Sequence, residues 1–110
     1  MPDAISQTHL DDDNLIANGL QGDREAFNIL FSKYRRLLYS LASRVLHSHD
    51  EAEDAVQSSS LLAFCKLPSF RHEGAFRSWL VRILVNEAVS ILRQRKNRQQ
   101  KFSKPALPPR

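Results

Sequence analysis

Apolar residues recur at every third or fourth position over residues 26–46, a spacing that places them along one side of an α-helix. The same spacing returns over residues 52–63 and 76–92. Glycine occurs only three times, and the five prolines lie mostly near the ends, so the middle of the chain has few signals for strands or tight turns. We therefore predict an all-α fold, a compact bundle of about four helices in one domain.

Residues suited to helix termini fall between these segments. Asp13, at the end of an acidic triplet, is predicted to cap a short first helix, and Asp23 to cap the second, which would run without interruption to residue 46. Ser48 with Glu51 three residues later is a capping-box pattern that would open the third helix. Pro68 is predicted to end it, because proline cannot continue the backbone hydrogen bonding of a helix.

Charge is distributed unevenly along the chain. Residues 1–70 contain six basic and ten acidic side chains, a net charge of −4, whereas residues 71–110 contain ten basic and two acidic ones, a net charge of +8. One interpretation is that these residues are ordinary solvated surface charges. The asymmetry otherwise favours two partners, an anionic one for the second half and a polar or basic one for the first.

Cysteine usage and hydropathy bear on where the protein works. Cys65 is the only cysteine, so no intrachain disulfide can form, and we interpret it as a small core residue in a reducing compartment. No apolar run approaches the roughly 20 residues that a membrane-spanning helix needs. We expect a cytoplasmic protein without membrane insertion.

Residues 70–95 combine aromatic rings with arginines. Rings stack on unpaired bases and guanidinium groups hold phosphates, so this combination suits single-stranded nucleic acid. Phe76 keeps the spacing of the buried stripe and is expected in the core, whereas Trp79 lies at its edge and would either wedge between bases or close the core. Phe70 is less easily explained as a core residue. The basic residues that follow are predicted to make nonspecific phosphate contacts: Arg93, Arg95, Lys96 and Arg98.

The sequence contains none of the common catalytic motifs. The chain has no phosphate-cradling glycine loop, no nucleophile elbow and no Cys-x-x-Cys pair. His47 and His49 lack cysteine partners and read better as turn residues than as metal ligands. We therefore expect neither an enzyme nor a cofactor or metal site.

Three motifs in order carry a family resemblance: G-D-R-E-A-F at residues 22–27, A-E-D-A-V-Q at 52–57, and F-R-H-E-G-A-F-R-S-W-L-V-R-I-L-V-N at 70–86. Over residues 11–98 the chain resembles region 2 of bacterial RNA polymerase sigma factors, in the extracytoplasmic-function (ECF) group of the sigma-70 family. Residues 1–10 are polar and unpatterned, which predicts a flexible leader. The resemblance implies that an interdomain linker begins at 99–110, with the helix-turn-helix domain of these proteins absent.

The resemblance also implies partners and roles. The third helix of the family docks on the clamp helices of the polymerase beta-prime subunit. Asp54 and Gln57 match residues that make this contact, and Ser58 occupies the position that follows them. The loop and the next helix recognise and melt the minus-ten promoter element, gripping a flipped base of the non-template strand. The matching positions are Phe70, Arg71, His72, Glu73, Gly74, Ala75 and Asn86 for the pocket, with Trp79 and Arg82 on the adjoining helix. An anti-sigma factor is a further implied partner.

Two other functions fit the same residues. The domain could be an interaction module that binds the polymerase clamp or an anti-sigma factor without reading DNA, or a nonspecific nucleic-acid binder driven by its basic end.

Three residues depart from the family pattern. Ser58 stands where an acidic residue is usual, Ser60 where a phenylalanine is usual, and Val81 where an aromatic residue is usual.

Overall fold

The computed structural model describes residues 4–71 and 75–103, with side chains over 12–71 and 75–99. In these residues the chain forms five α-helices and one turn of 3-10 helix. The helices are α1 (Ala4–Leu20), α2 (Arg24–Ser32), α3 (Arg35–Leu46), α4 (His49–Lys66) and α5 (Phe76–Ser103), and the 3-10 helix is Leu67–Ser69. The all-α class is confirmed, with one helix more than the sequence indicated.

The first helix is longer than predicted. It begins at Ala4, so Asp13 lies exposed inside α1 and does not cap it. The predicted start is wrong because residues 4–12 contain neither glycine nor proline, and nothing stops the helix from extending toward the N-terminus. Beyond its last residue, Gly22 has a φ of 95°, a left-handed backbone conformation that glycine adopts without steric cost. Asp23 then caps α2, as predicted, by accepting a hydrogen bond from the backbone N–H of Ala26.

The predicted long second helix is divided in two at Lys33 and Tyr34. Their backbone N–H groups bond to Leu30 and Phe31, three residues earlier, so the helical ladder is interrupted before α3 begins. The apolar stripe continues on both sides of this break, with Phe27, Leu30 and Phe31 buried on α2 and Leu38, Ala42 and Leu46 buried on α3.

The fourth helix has the predicted start and inner face. Ser48 accepts a hydrogen bond from the backbone N–H of Glu51, so the predicted cap is confirmed. Ala52, Ala55, Val56, Ser59 and Ala63 are buried, and Ser59 donates its hydroxyl proton to the carbonyl of Ala55. The helix ends at Lys66, just before Pro68, as predicted, and a turn of 3-10 helix that contains Pro68 follows.

Cys65 was predicted to be a core residue, and the structure shows it exposed. It follows the buried Ala63 by two positions, and residues two positions apart in an α-helix differ by about 200° of rotation about the helix axis. Cys65 therefore points away from the core.

Helices α3, α4 and α5 pack against one another, while α1 packs on α2 and also touches the 3-10 helix. Each of these elements contributes buried residues to one core. Fully buried leucines at positions 38, 80 and 84 belong to this core together with the small side chains of Ala42, Ala55 and Ala88. Each buried leucine contributes roughly 1.5–3 kcal/mol relative to an exposed one.

The last helix continues well beyond the bundle. The apolar pattern ends near Arg93 and a linker was predicted from residue 99, yet α5 runs to Ser103. Residues 94–101 are mostly good helix formers, and the next proline is Pro105, so nothing in this stretch ends the helix. The predicted linker residues 104–110 lie outside the described chain, and the domain boundary itself stays a prediction.

Candidate nucleic-acid interface

Three aromatic rings meet where the 3-10 helix leads toward α5. Phe70 lies 5.3 Å from Phe76 and 5.3 Å from Trp79, and Phe76 lies 5.5 Å from Trp79, between ring centroids. Phe76 is buried, as the sequence predicted, whereas Phe70 and Trp79 are half-buried. We call these three residues the aromatic cluster. Two of its rings thus rest on the core and still present part of their surface to solvent.

An open cavity of about 450 Å³ lies beside the cluster. Its lining residues are Ser69, Phe70, Arg71, Ala75, Ser78, Trp79 and Arg82. Aromatic faces, two guanidinium groups and two hydroxyls therefore border one space. These are the groups that stack on a base, hold a phosphate and bond to polar base edges.

The structure brings most of the predicted DNA-contacting residues together, but not all of them. Asn86 is exposed one helical turn beyond Arg82, about 6 Å further along α5, and does not line the cavity. His72, Glu73 and Gly74 lie outside the described residues.

Ser69 and Ser78 line the cavity, although neither was predicted from the sequence to be a site residue. Ser78, Arg82 and Asn86 recur at four-residue intervals, which places them on one side of α5 and was a readable signal. Ser69 gives no such signal, because it lies in the 3-10 turn, where helical spacing does not apply.

A second surface lies on α4. Asp54 and Gln57 are exposed and three residues apart on one helix face, while Ser58 is half-buried. Beside them a groove of about 480 Å³ separates α3 from α4, and its lining residues are Ser32, Arg35, Arg36, Tyr39, His49, Glu53, Val56 and Gln57. Acidic and amide side chains of α4 therefore border arginines of α3, so this surface offers both signs of charge to a partner.

The predicted phosphate-binding residues at the end of α5 are not equivalent. Arg93, Lys96 and Arg98 are exposed. Arg95 instead donates hydrogen bonds to the carboxylate of Glu51, one of them at 3.1 Å, and to the backbone carbonyl of Leu46 at 2.6 Å. Its side chain is 29% exposed and that of Glu51 23% exposed. Arg95 thereby ties α5 to the end of α3 and the start of α4.

Replacing Arg95 with methionine is expected to lower the free energy of unfolding by about 1–2 kcal/mol, since charged hydrogen bonds are lost while the aliphatic stem remains. The matched change Arg93→Met at an exposed position is expected to stay within about 0.5 kcal/mol of the parent. Urea unfolding of both variants measures this difference. Equal losses in the two variants would show that the bonds of Arg95 contribute nothing particular to stability.

Asp12, the middle residue of the N-terminal acidic triplet, is buried and does not contribute to a helix cap. The side chain of Asp12 is buried and accepts hydrogen bonds from the Tyr34 hydroxyl at 2.6 Å and the Lys33 ammonium at 2.8 Å. Burial, followed by the hydrogen bond and the negative charge of Asp12, raises the pKa of the Tyr34 phenol well above its ordinary value of 10.0. Tyr34 therefore keeps its proton and remains a donor at any physiological pH.

Within residues whose side chains are described, no three His, Cys, Asp or Glu side chains are close enough to share a metal ion. Among the described helices, none combines the length and the apolar character needed to cross a membrane.

The fold and the cavity together define an all-α domain with aromatic and arginine side chains exposed on one face. Comparison with known proteins makes this class specific. The family model described as Sigma-70 region 2 matches residues 30–98. The chain is 41% identical over 83 residues to the ECF RNA polymerase sigma-E factor of Haemophilus influenzae, covering 76% of this chain and 43% of that protein. It is 40% identical over 85 residues to the ECF RNA polymerase sigma factor SigM of Mycobacterium tuberculosis (strain H37Rv), covering 77% and 43%.

A solved structure is also similar. It is the NMR structure of an engineered region 2 of sigmaE in complex with GTAAAA, with a TM-score of 0.73 and 37% identity over 79% of this chain and 90% of that one. The chain belongs to the sigma-70 region 2 family, and its resemblance to ECF sigma factors is confirmed. It spans about 43% of the length of the curated relatives described above.

Proposed function

We propose that this domain captures unpaired bases of the minus-ten promoter element, on the non-template strand, and holds them for an RNA polymerase during transcription initiation. The observation that carries the proposal is the cavity in which Phe70, Trp79, Arg71 and Arg82 border one open space. The related region 2 of sigmaE, similar in fold and sequence, forms a complex with GTAAAA. The role is one of binding rather than catalysis.

The energetics of base capture fit such a role. Each base step unstacked from duplex DNA costs roughly 1.4 kcal/mol, and aromatic stacking returns about 1–3 kcal/mol per base. One or two bases held against the aromatic cluster therefore offset the opening of one or two steps. A longer bubble needs further contacts, which we assign to the polymerase.

The exposed face of α4 is proposed to dock on the polymerase. Asp54 and Gln57 would contact the beta-prime clamp helices, and their exposure is compatible with that contact. The groove beside them gives the clamp, or an anti-sigma factor, a surface to fill. Such a protein would act in the cytoplasm, where the polymerase transcribes. The exposed basic side chains Arg93, Lys96 and Arg98 would add contacts to phosphates.

The proposal predicts that the domain prefers one base sequence over another and that this preference persists as the salt concentration rises. A labelled single-stranded DNA oligonucleotide containing GTAAAA should bind the domain more tightly than one of the same composition in scrambled order, measured by fluorescence anisotropy at several salt concentrations. Phosphate contacts weaken as salt rises, whereas the ratio of the two affinities should persist because bases set it.

Two other outcomes identify the competing functions. Equal affinities that fall together with salt would indicate a nonspecific binder driven by the basic end of α5. No binding to either oligonucleotide, with retained binding to core polymerase, would indicate an interaction module that uses only the α4 surface.

A further inference from the structure

Helix α1 packs on α2 and contacts the 3-10 helix, whose last residue, Ser69, borders the proposed base-binding cavity. The family match nevertheless starts only at residue 30. Its Asp12 is 8% exposed, and its two carboxylate oxygens are engaged by Lys33 and Tyr34. These are the two residues at which the ladder between α2 and α3 is interrupted. A carboxylate of α1 thus holds both residues of the break.

Tyr34 connects this contact to the aromatic cluster. Its ring lies 6.0 Å from that of Phe76, between centroids, and Phe76 in turn contacts both Phe70 and Trp79. The hydrogen bond to Asp12 restricts the Tyr34 ring from one end, and the ring packs against Phe76. A side chain of α1 therefore reaches the cavity wall through two intervening aromatic residues.

A second contact of α1 supports the same region from another direction. Gly19 packs so closely that an added Cβ would lie 3.0 Å from a methyl carbon of Leu67. Leu67 starts the 3-10 helix, and its carbonyl accepts a hydrogen bond from the backbone N–H of Phe70. Helix α1 therefore contacts the segment that carries Phe70 and, through Tyr34, also supports the ring of Phe76.

We propose that Asp12 is a positioning residue for base capture: through Tyr34 it fixes the ring of Phe76 and so sets the orientation of Trp79 and Phe70 at the cavity. The link to DNA binding rests on the proposed function. The link to ring orientation does not, and it can be measured in the protein without DNA.

Trp79 provides the readout, because it is the only tryptophan in the 110-residue chain. Asp12→Ala removes the acceptor, Tyr34→Phe removes only the donor hydroxyl, and Asp12→Asn keeps an oxygen that can accept from Tyr34. Asp13→Ala, at an exposed position of α1, is the matched control. Each variant is examined by Trp79 emission, thermal midpoint and affinity for the GTAAAA oligonucleotide.

Loss of the hydrogen bond in Asp12→Ala or Tyr34→Phe is expected to shift the Trp79 emission and weaken oligonucleotide binding about twofold to tenfold, the range of a typical side-chain hydrogen bond. Asp12→Asn should restore both properties to near the parent values. Asp13→Ala should change neither.

A destabilised core variant separates positioning from stability. Leu46 lies at the far end of the bundle, where its carbonyl binds Arg95, a residue about 28 Å along α5 from Phe76. Leu46→Val or Leu46→Ala, whichever matches the thermal midpoint of Asp12→Ala, should leave the Trp79 emission of the folded protein unchanged.

The proposal is overturned if Asp12→Ala shows parental emission and weakens binding no more than the matched Leu46 variant. It is also overturned if Asp12→Asn behaves like Asp12→Ala, since the charge pair with Lys33 would then carry the effect. Should the parent protein fail to bind the oligonucleotide, the proposed function fails, and the emission comparison alone still decides whether Asp12 positions the rings.

Discussion

Replacing Trp79 with alanine is expected to weaken binding of the GTAAAA oligonucleotide by about fivefold to 150-fold, because stacking on one base is worth about 1–3 kcal/mol. Trp79 is half-buried and borders the cavity, so part of its ring is available to a base. Truncation also removes the ring contacts with Phe70 and Phe76 that keep the cavity wall in place. Fluorescence anisotropy with the labelled oligonucleotide measures the loss.

The control for this substitution is Val85→Ala. Val85 is a half-buried residue of α5 that packs against the core and does not line the cavity. It should cost stability with little effect on affinity when binding is measured well below the thermal midpoint. If Trp79→Ala binds as tightly as Val85→Ala, the cavity is not the place where bases stack.

Helical periodicity was sufficient to predict the faces of α4 and α5 that form the core. Ala52, Ala55 and Val56 on one helix and Leu80 and Leu84 on the other are buried as their spacing indicated. This succeeds because an amphipathic helix has to bury its apolar side against something, whatever the partner is. The same logic explains why the prediction for Cys65 was wrong. It relied on the residue type, whereas the position of Cys65 on the helix, about 200° from Ala63, places it on the opposite side.

The division between α2 and α3 could not be read in the same way. No glycine or proline lies near Lys33 or Tyr34, and the apolar stripe passes through the break. The contact that holds these residues comes from Asp12, more than 20 residues earlier in the chain. Local spacing contains no information about such a contact, so an aspartate that seemed to belong to a capping triplet is instead buried against a tyrosine.

The candidate site was predictable in residue type more than in geometry. Aromatic and arginine residues after Pro68 indicated a nucleic-acid surface, and the structure places Phe70, Trp79 and Arg82 around one cavity. Arg95 looked equivalent to its basic neighbours in the sequence, yet its partner Glu51 lies 44 residues earlier. Which cation of a basic run is bound within the fold depends on tertiary packing, and composition cannot show it.

Replacing Asp54 with arginine is expected to weaken binding to core RNA polymerase by about 30-fold or more, since losing one partner of a desolvated charge contact costs roughly 2–5 kcal/mol. Asp54 is exposed, so the reversal should leave the thermal midpoint of the isolated domain nearly unchanged. Gln57→Arg, one turn further along the same helix face, should act in the same direction. Competition with a labelled parent domain for core polymerase measures both.

The matched control is Asp13→Arg, which makes the same change of charge at an exposed position of α1. It should compete as well as the parent domain, whereas a loss equal to that of Asp54→Arg would show that net charge alone governs association. Binding of the GTAAAA oligonucleotide should persist in Asp54→Arg, because the cavity residues are unchanged. Loss of polymerase binding with retained oligonucleotide binding would therefore assign the two partners to separate surfaces, α4 for the enzyme and the aromatic cluster for the DNA strand.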